Sequence, residues 1–184
     1  LVVGGQHGGE ITSLVEVFDP KTDSWDSYNL VGKWTDTSLM NVGRKNHTST
    51  LLPDGSVLIT GGITRVDDEE GTGPTALLEI AERYLVGGIK KWTLAGKMSN
   101  TRTGHTASLL LDGKVLIAGG GTVEAKKGGQ AEKELEHLKS TETYDYKTNN
   151  WRQSTSMNTS RWEHTATVLP SGDVLVVGGE NSSG

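Results

Sequence analysis

An all-β fold of repeated four-stranded antiparallel units is what this sequence predicts, and three observations predict it. Glycine makes up 25 of the 184 residues while only 33% of the chain is apolar, a balance that suits many short strands and tight turns better than a helical bundle. No segment sustains a 3.6-residue apolar period, and turn residues punctuate the whole chain. Above all, the chain repeats. Glycine pairs fall at Gly4-Gly5, Gly61-Gly62, Gly119-Gly120 and Gly178-Gly179, at intervals of 57, 58 and 59 residues. Met40, Met98 and Met157, Arg44, Arg102 and Arg161, and His47, His105 and His164 keep the same period. Such self-similarity marks stacked structural units. Leu1 to Gly5 recurs as Leu175 to Gly179, so the units run over approximately 1–58, 59–116 and 117–174, with an overlap at 175–184.

Each unit reads as four strands. The first runs from His47 to Leu52, His105 to Leu111 or His164 to Leu169. It ends in a hairpin turn, Pro53-Asp54-Gly55, Asp112-Gly113 or Pro170-Ser171-Gly172, where glycine tolerates the positive φ that such turns require. The second strand, Val57–Thr60, Val115–Ala118 or Val174–Val177, is apolar nearly throughout, as a strand buried on both faces should be. The glycine pair follows. The third strand carries Glu-x-aromatic: Glu16-Val17-Phe18, Glu82-Arg83-Tyr84 and Glu142-Thr143-Tyr144. A polar turn leads to a fourth strand that starts at tryptophan, Trp92 or Trp151. In the first unit Trp25 and Trp34 both compete for that place. The second unit lacks the polar turn and reads Tyr84-Leu85-Val86-Gly87-Gly88.

A four-stranded sheet of this size cannot bury both faces alone. Radial stacking around a channel solves that, so the expected architecture is about three blades of a β-propeller. The order glycine pair, Glu-x-Tyr-Asp, tryptophan six residues before methionine, then Arg-x-x-His resembles the kelch motif. Met98 to Ala107 and Leu109 to Gly120 resemble bacterial kelch repeats in particular. The resemblance covers nearly the whole chain outside two loop insertions. It implies one blade per repeat and a ring of six or seven blades. Three blades do not close a ring, so further blades or a second copy are needed. The chain opens at Leu1 inside a strand, which reads as part of a longer polypeptide.

The repeated residues are expected to be structural: Gly61, Gly62, Gly119, Gly120, Gly178 and Gly179 at bends, His47, His105 and His164 against buried backbone, and Tyr84, Tyr144, Trp92 and Trp151 between blades. One histidine per blade does not converge as metal ligands must, and no metal or other cofactor is expected. Arg44, Arg102 and Arg161 have two readings. They could grip a carboxylate ligand at the channel mouth, or brace the blades against Glu16, Glu82 and Glu142, and their regularity favours bracing. What breaks the repeat is the better place for binding. One insertion runs from Ile63 to Pro74 and holds Asp67, Asp68, Glu69 and Glu70, an acidic run without the ligand spacing of a calcium loop. The other runs from Gly121 to Leu138, and its segment Ala131–Leu138 has the composition of one or two helical turns.

Net charge is −5 with no basic block, which argues against a nucleic-acid partner, and no apolar run reaches membrane-spanning length. Enzymatic motifs such as Gly-x-Ser-x-Gly, a phosphate-binding loop or His-Glu-x-x-His are absent from the sequence. Some kelch-like propellers are copper radical oxidases resembling galactose oxidase, whose cofactor is a tyrosine cross-linked to a cysteine. This chain has no cysteine. The sequence therefore points to a non-enzymatic scaffold with a protein partner, carbohydrate being the second ligand class. The alternative is the propeller part of a carbohydrate-acting enzyme with its active site in other blades. Three Asn-x-Ser/Thr sequons occur in a chain rich in those residues. No compartment is named by the sequence; an extracellular or cell-surface setting is favoured over a cytoplasmic one.

Overall fold

The computed structural model describes residues 1–19, 33–66, 75–85, 91–122 and 135–181. The first blade contributes β1 (Val2–Val3), β2 (Gln6–His7), β3 (Glu10–Ile11), β4 (Val15–Asp19) and β5 (Lys33–Asp36). The second contributes β6 (Thr48–Leu51), β7 (Val57–Thr60), β8 (Ile63–Arg65), β9 (Thr75–Leu77), β10 (Ile80–Leu85) and β11 (Lys91–Lys97). In the third are β12 (Thr106–Leu109), β13 (Val115–Ala118), β14 (Gly121–Thr122), β15 (Glu136–His137), β16 (Thr141–Asp145) and β17 (Asn150–Ser154), and β18 (Thr165–Val168) and β19 (Val174–Val177) close the chain. Among the described residues there is no helix, hence none long and apolar enough to cross a membrane.

Two blades are whole antiparallel sheets, ordered β6-β7-β10-β11 and β12-β13-β16-β17. They are flanked by a three-stranded sheet, β1-β4-β5, and a two-stranded one, β18-β19. The first strands β6, β12 and β18 lie side by side, so the blades radiate from a common inner edge. The register repeats as faithfully as the sequence: Val57 opposes Tyr84 and Tyr84 opposes Trp92, while Val115 opposes Tyr144 and Tyr144 opposes Trp151. Phe18 opposes Trp34 in the same way, and their rings lie 5.1 Å apart, as those of Tyr84 and Trp92 do. Trp34 thus fills the tryptophan place of the first unit. Trp25 and the second unit's turn from Val86 lie outside the described residues.

The core lies between blades, not within them. At the first junction Val15 and Met40 of one blade pack on Ile59, Tyr84 and Trp92 of the next. At the second, Leu52, Leu58, Ala81, Ala95 and Met98 meet Val115, Ile117 and Tyr144, with Trp151 packed alongside. Each second strand faces both neighbours, which is why it must be apolar on both sides. The alanines leave room for the aromatics. Trp151 donates its indole N–H to Ala95 O at 2.7 Å, and Trp92 does the same to Ser38 O at 2.8 Å.

The glycine pair is a docking point for the next unit. Gly61 and Gly119 both have φ of 60°, a left-handed conformation that side chains rarely adopt. A Cβ on Gly119 would stand 2.6 Å from Arg161 O and 2.8 Å from His164 Cε1. One residue on, Gly120 N donates to Arg161 O at 2.8 Å, and Gly62 N to Arg102 O at 2.7 Å.

Candidate functional site

Arg44 and Arg102 are wholly buried, at 0% exposure, at the blade junctions. Arg44 donates through Nη1 to Gly61 O (2.9 Å) and Ile80 O (3.1 Å), and through Nη2 to Glu82 Oε1 (2.5 Å). Arg102 repeats this, with Nη1 on Gly119 O (2.7 Å) and Ser140 O (3.0 Å) and Nη2 on Glu142 Oε1 (2.9 Å). Burial lowers the pKa of both guanidiniums and the facing glutamate opposes that shift. Glu82 also accepts from the backbone of Asn41 and Val42, and Glu142 from that of Ser99, so each carboxylate holds the loop that carries its arginine. A carboxylate ligand would have to displace these partners, so neither side chain is presented to one. Arg161 differs: it is half-buried, its Nη1 reaches Gly178 O at 2.6 Å, and no carboxylate among the described residues meets it. Glu16, the first of the repeated glutamates, is exposed and likewise meets no cation among them.

The histidines sit at the blade inner edges. His105 Nε2 lies 3.1 Å from the hydroxyl of Thr48 and 3.0 Å from that of Thr60 in the preceding blade, and His164 Nε2 lies 2.9 Å from that of Thr106. Burial pushes His47 down to about 4 and His105 to about 3, with neighbouring Arg44 and Arg102 adding to the shift, so both are neutral. Among the described residues no three His, Cys, Asp or Glu side chains gather as a metal site. The acidic run Asp67, Asp68, Glu69 and Glu70 lies outside the described residues.

The insertions begin as hairpins. From each of the first three glycine pairs the chain enters a two-stranded ribbon: β2-β3, β8-β9 and β14-β15. In the third ribbon Glu136 and His137 are a strand pairing with Gly121 and Thr122, which corrects the expectation of helical turns over Ala131–Leu138 at those positions. Pairing to a fixed strand overrides the modest helix preference of such residues. The roots of β8-β9 and β14-β15 are bridged by the residue after the repeat arginine, Lys45 to Ile63 and Thr103 to Gly121, and Trp162 bridges Glu180 in the same way after the last glycine pair. Ribbon and arginine loop therefore share one face.

Sequence reading missed those three positions. Aligned on the arginine, the next residue is lysine, threonine, then tryptophan, a break in the repeat directly beside its most regular column. Trp162 stacks on His137 with ring centres 5.8 Å apart and planes 14° from parallel. Its indole passes over Gly104, where a Cβ would stand 2.2 Å from Nε1. Trp162 Nε1, His137 Nδ1 and Thr103 Oγ1 are shielded from solvent and have no hydrogen-bond partner among the described residues. Buried polar atoms are seldom left so, and three on adjoining residues make the root of the third ribbon polar and unsatisfied. Shielded atoms of this kind also occur on the regular columns, at Nδ1 of His47, His105 and His164 and Nε of Arg102, among the described residues. At the first two ribbons Lys45 Nζ donates to Gln6 Oε1 at 2.6 Å and Arg65 Nη2 to Gly9 O at 3.0 Å.

A family model described as the Kelch motif matches residues 1–29. No curated protein matches the chain in sequence. Among solved structures it is similar to a fungal alcohol oxidase of the AA5 family, in complex with copper, at 15% identity and a TM-score of 0.63, covering 89% of this chain and 32% of that one. It is also similar to the structure of YjhT at 16% identity and a TM-score of 0.65, covering 89% of this chain and 52% of that one. The chain thus spans a third to a half of the structures it matches, and at such identities the likeness concerns the fold alone. Repeat, register and structural likeness agree on the fold: the chain forms blades of a β-propeller, with a Kelch motif matched at residues 1–29.

Proposed function

We propose that this chain is a non-enzymatic binding scaffold that takes a protein partner on its ribbon-bearing face, centred on Trp162, His137 and Thr103. The observation that carries this reading is the set of three buried, unsatisfied polar atoms on residues that break an otherwise regular repeat. A scaffold repeats what it needs for stability and varies what it needs for recognition. The buried arginines, glycines and aromatics account for stability at the junctions. The ribbons and the residues at their roots are left for recognition, and a tryptophan anchor beside polar groups is the usual make-up of an interface centre.

The test is capture by the immobilised chain from an extract of its source, compared with Trp162→Ala and His137→Ala. Partner capture that falls at least tenfold in both variants while their melting temperatures stay near wild type supports the reading. Equal capture by all three proteins sinks it. The likeness to a copper alcohol oxidase keeps a second reading, the propeller portion of a carbohydrate-acting enzyme. Stoichiometric copper together with alcohol or sugar oxidation by the purified protein would favour that reading over the first.

A further inference from the structure

Three Asn-x-Ser/Thr sequons run through the chain, Asn46-His47-Thr48, Asn158-Thr159-Ser160 and Asn181-Ser182-Ser183, and the structure treats them differently. Asn158 aligns with Asn41 and Ser99, whose backbone N–H groups donate to Glu82 and Glu142, so its column belongs to the blade junctions. The third sequon runs into residues 182–184, outside the described residues. Asn46 stands apart from both. It lies two residues before β6, exposed, and its amide has no hydrogen-bond partner among the described residues. Its φ is 54°, a left-handed conformation that asparagine adopts more readily than most residues. Gly104 and Glu163 share that conformation at the same place in the repeat, with φ of 60° and 54°. At Gly104 the column is closed, because Trp162 of the next unit stands where a Cβ would be. The residue that aligns with Trp162 one unit earlier is Thr103, a short side chain, and Asn46 is open.

The rest of that sequon is sealed by the fold. His47 is half-buried. Thr48 Oγ1 lies 2.6 Å from Thr60 Oγ1 across the β6-β7 pair and 3.1 Å from His105 Nε2 of the next blade. Its hydroxyl is therefore held once the two whole blades have packed together.

We propose that Asn46 is the acceptor of an N-linked glycan, and that the glycan is attached before these blades fold. Transfer from a lipid-diphosphate-linked oligosaccharide forms a bond from Asn46 Nδ2 to the anomeric carbon of the sugar. It breaks the bond from that carbon to the diphosphate oxygen, and the lipid diphosphate leaves as one amide proton is lost. The third residue of the sequon must offer its hydroxyl to the transferase. Thr48 offers it in the unfolded chain, and in the folded chain Thr60 and His105 hold it. The product fits the fold. The glycan leaves from an exposed asparagine and displaces no junction partner, next to Lys45 at the root of the β8-β9 ribbon. This inference is independent of the binding reading, since no residue of that reading takes part in it.

Secretion of the chain behind a signal peptide from cultured eukaryotic cells tests it. The wild-type chain is expected to carry a glycan that peptide N-glycosidase removes, with the resulting aspartate mapped to position 46. Asn46→Gly keeps the left-handed turn, as Gly104 does, and should lose that glycan while its melting temperature stays near wild type. Thr48→Ser keeps the hydroxyl and should keep the glycan. For the timing, unglycosylated folded chain and a peptide of residues 41–51 are each given the transferase and its lipid-linked donor. The peptide should be modified at least about tenfold faster, because the folded chain must open locally to release Thr48. A wild-type chain without a glycan at Asn46, the same glycan mass in Asn46→Gly, or equal rates for folded chain and peptide would each overturn the proposal.

Discussion

The inner junctions and the outward ends are built from the same repeated residues, yet the same residue does different work in each. Glu142 inside a junction is 1% exposed, accepts from Arg102 and Ser99, and holds two blades together, whereas Glu16, at the same place in the repeat, lies in solvent. What differs is the neighbour. In a propeller the stability of a residue belongs to the junction rather than to the blade, as nearest-neighbour behaviour of repeat folds requires. The sharpest way to break this comparison is to remove one charge at each place. Glu142→Ala strands a buried arginine and is expected to cost about 3–5 kcal/mol, while Glu16→Ala should stay within about 0.5 kcal/mol. Denaturant unfolding of the two variants measures the gap, and equal losses would mean that the blades are stable singly.

Glycine repeats the contrast through the backbone. Gly119 and Gly178 have φ of 60° and 70°, so alanine is strained at both. That strain is about 1–2 kcal/mol. At Gly119 the added Cβ also meets Arg161 O, a backbone atom of the next unit that cannot move without breaking the junction. At Gly178 nothing lies within 4 Å. Gly119→Ala is therefore expected to lose at least about 3 kcal/mol and Gly178→Ala only the strain, a difference readable as separate thermal midpoints.

These contrasts also show what was legible in the sequence. The strands were, because short apolar runs, turn glycines and a period of about 58 residues all agree, and the glycine pairs mark the strand ends. The choice between Trp25 and Trp34 was not, because spacing to Phe18 and spacing to Met40 disagree. Only the cross-strand pairing of Phe18 with Trp34 decides it. That arginine and glutamate repeat together was visible, but not that Arg44 takes Glu82 and Arg102 takes Glu142. Each partner lies 38 or 40 residues on, across a blade boundary that exists only in three dimensions. The helical composition after Ala131 misled at Glu136 and His137 because local propensity yields to a strand pairing anchored at Gly121. Trp162 was legible in principle, as the one aromatic in a column of lysine and threonine, but regular columns draw the eye from the irregular ones beside them.

Acid sharpens the comparison at the histidines. The folded pKa values of His47 and His105, about 4 and about 3, lie below the ordinary value of 6.5. Between those limits the unfolded chain takes up protons that the folded chain refuses. The stability they contribute is whole above about pH 6.5 and is lost as pH falls toward the folded values, by about 1.4 kcal/mol per pH unit for each histidine held neutral. His105→Gln should flatten the fall in melting temperature between about pH 6 and pH 4. An equal slope in wild type and His105→Gln would assign the acid sensitivity to carboxylates instead.

The smallest expected effect comes from a single indole hydrogen bond. Trp151→Phe keeps an aromatic between the blades and removes the bond to Ala95 O, a loss of about 1 kcal/mol. Trp34 has no hydrogen-bond partner among the described residues, so Trp34→Phe should be close to neutral. Thermal unfolding of both variants measures the difference, and it isolates the hydrogen bond because each keeps an aromatic ring in place. A loss at Trp34→Phe as large as that at Trp151→Phe would mean that the packing of the indole, and not its bond to the neighbouring blade, is what the inner junction adds.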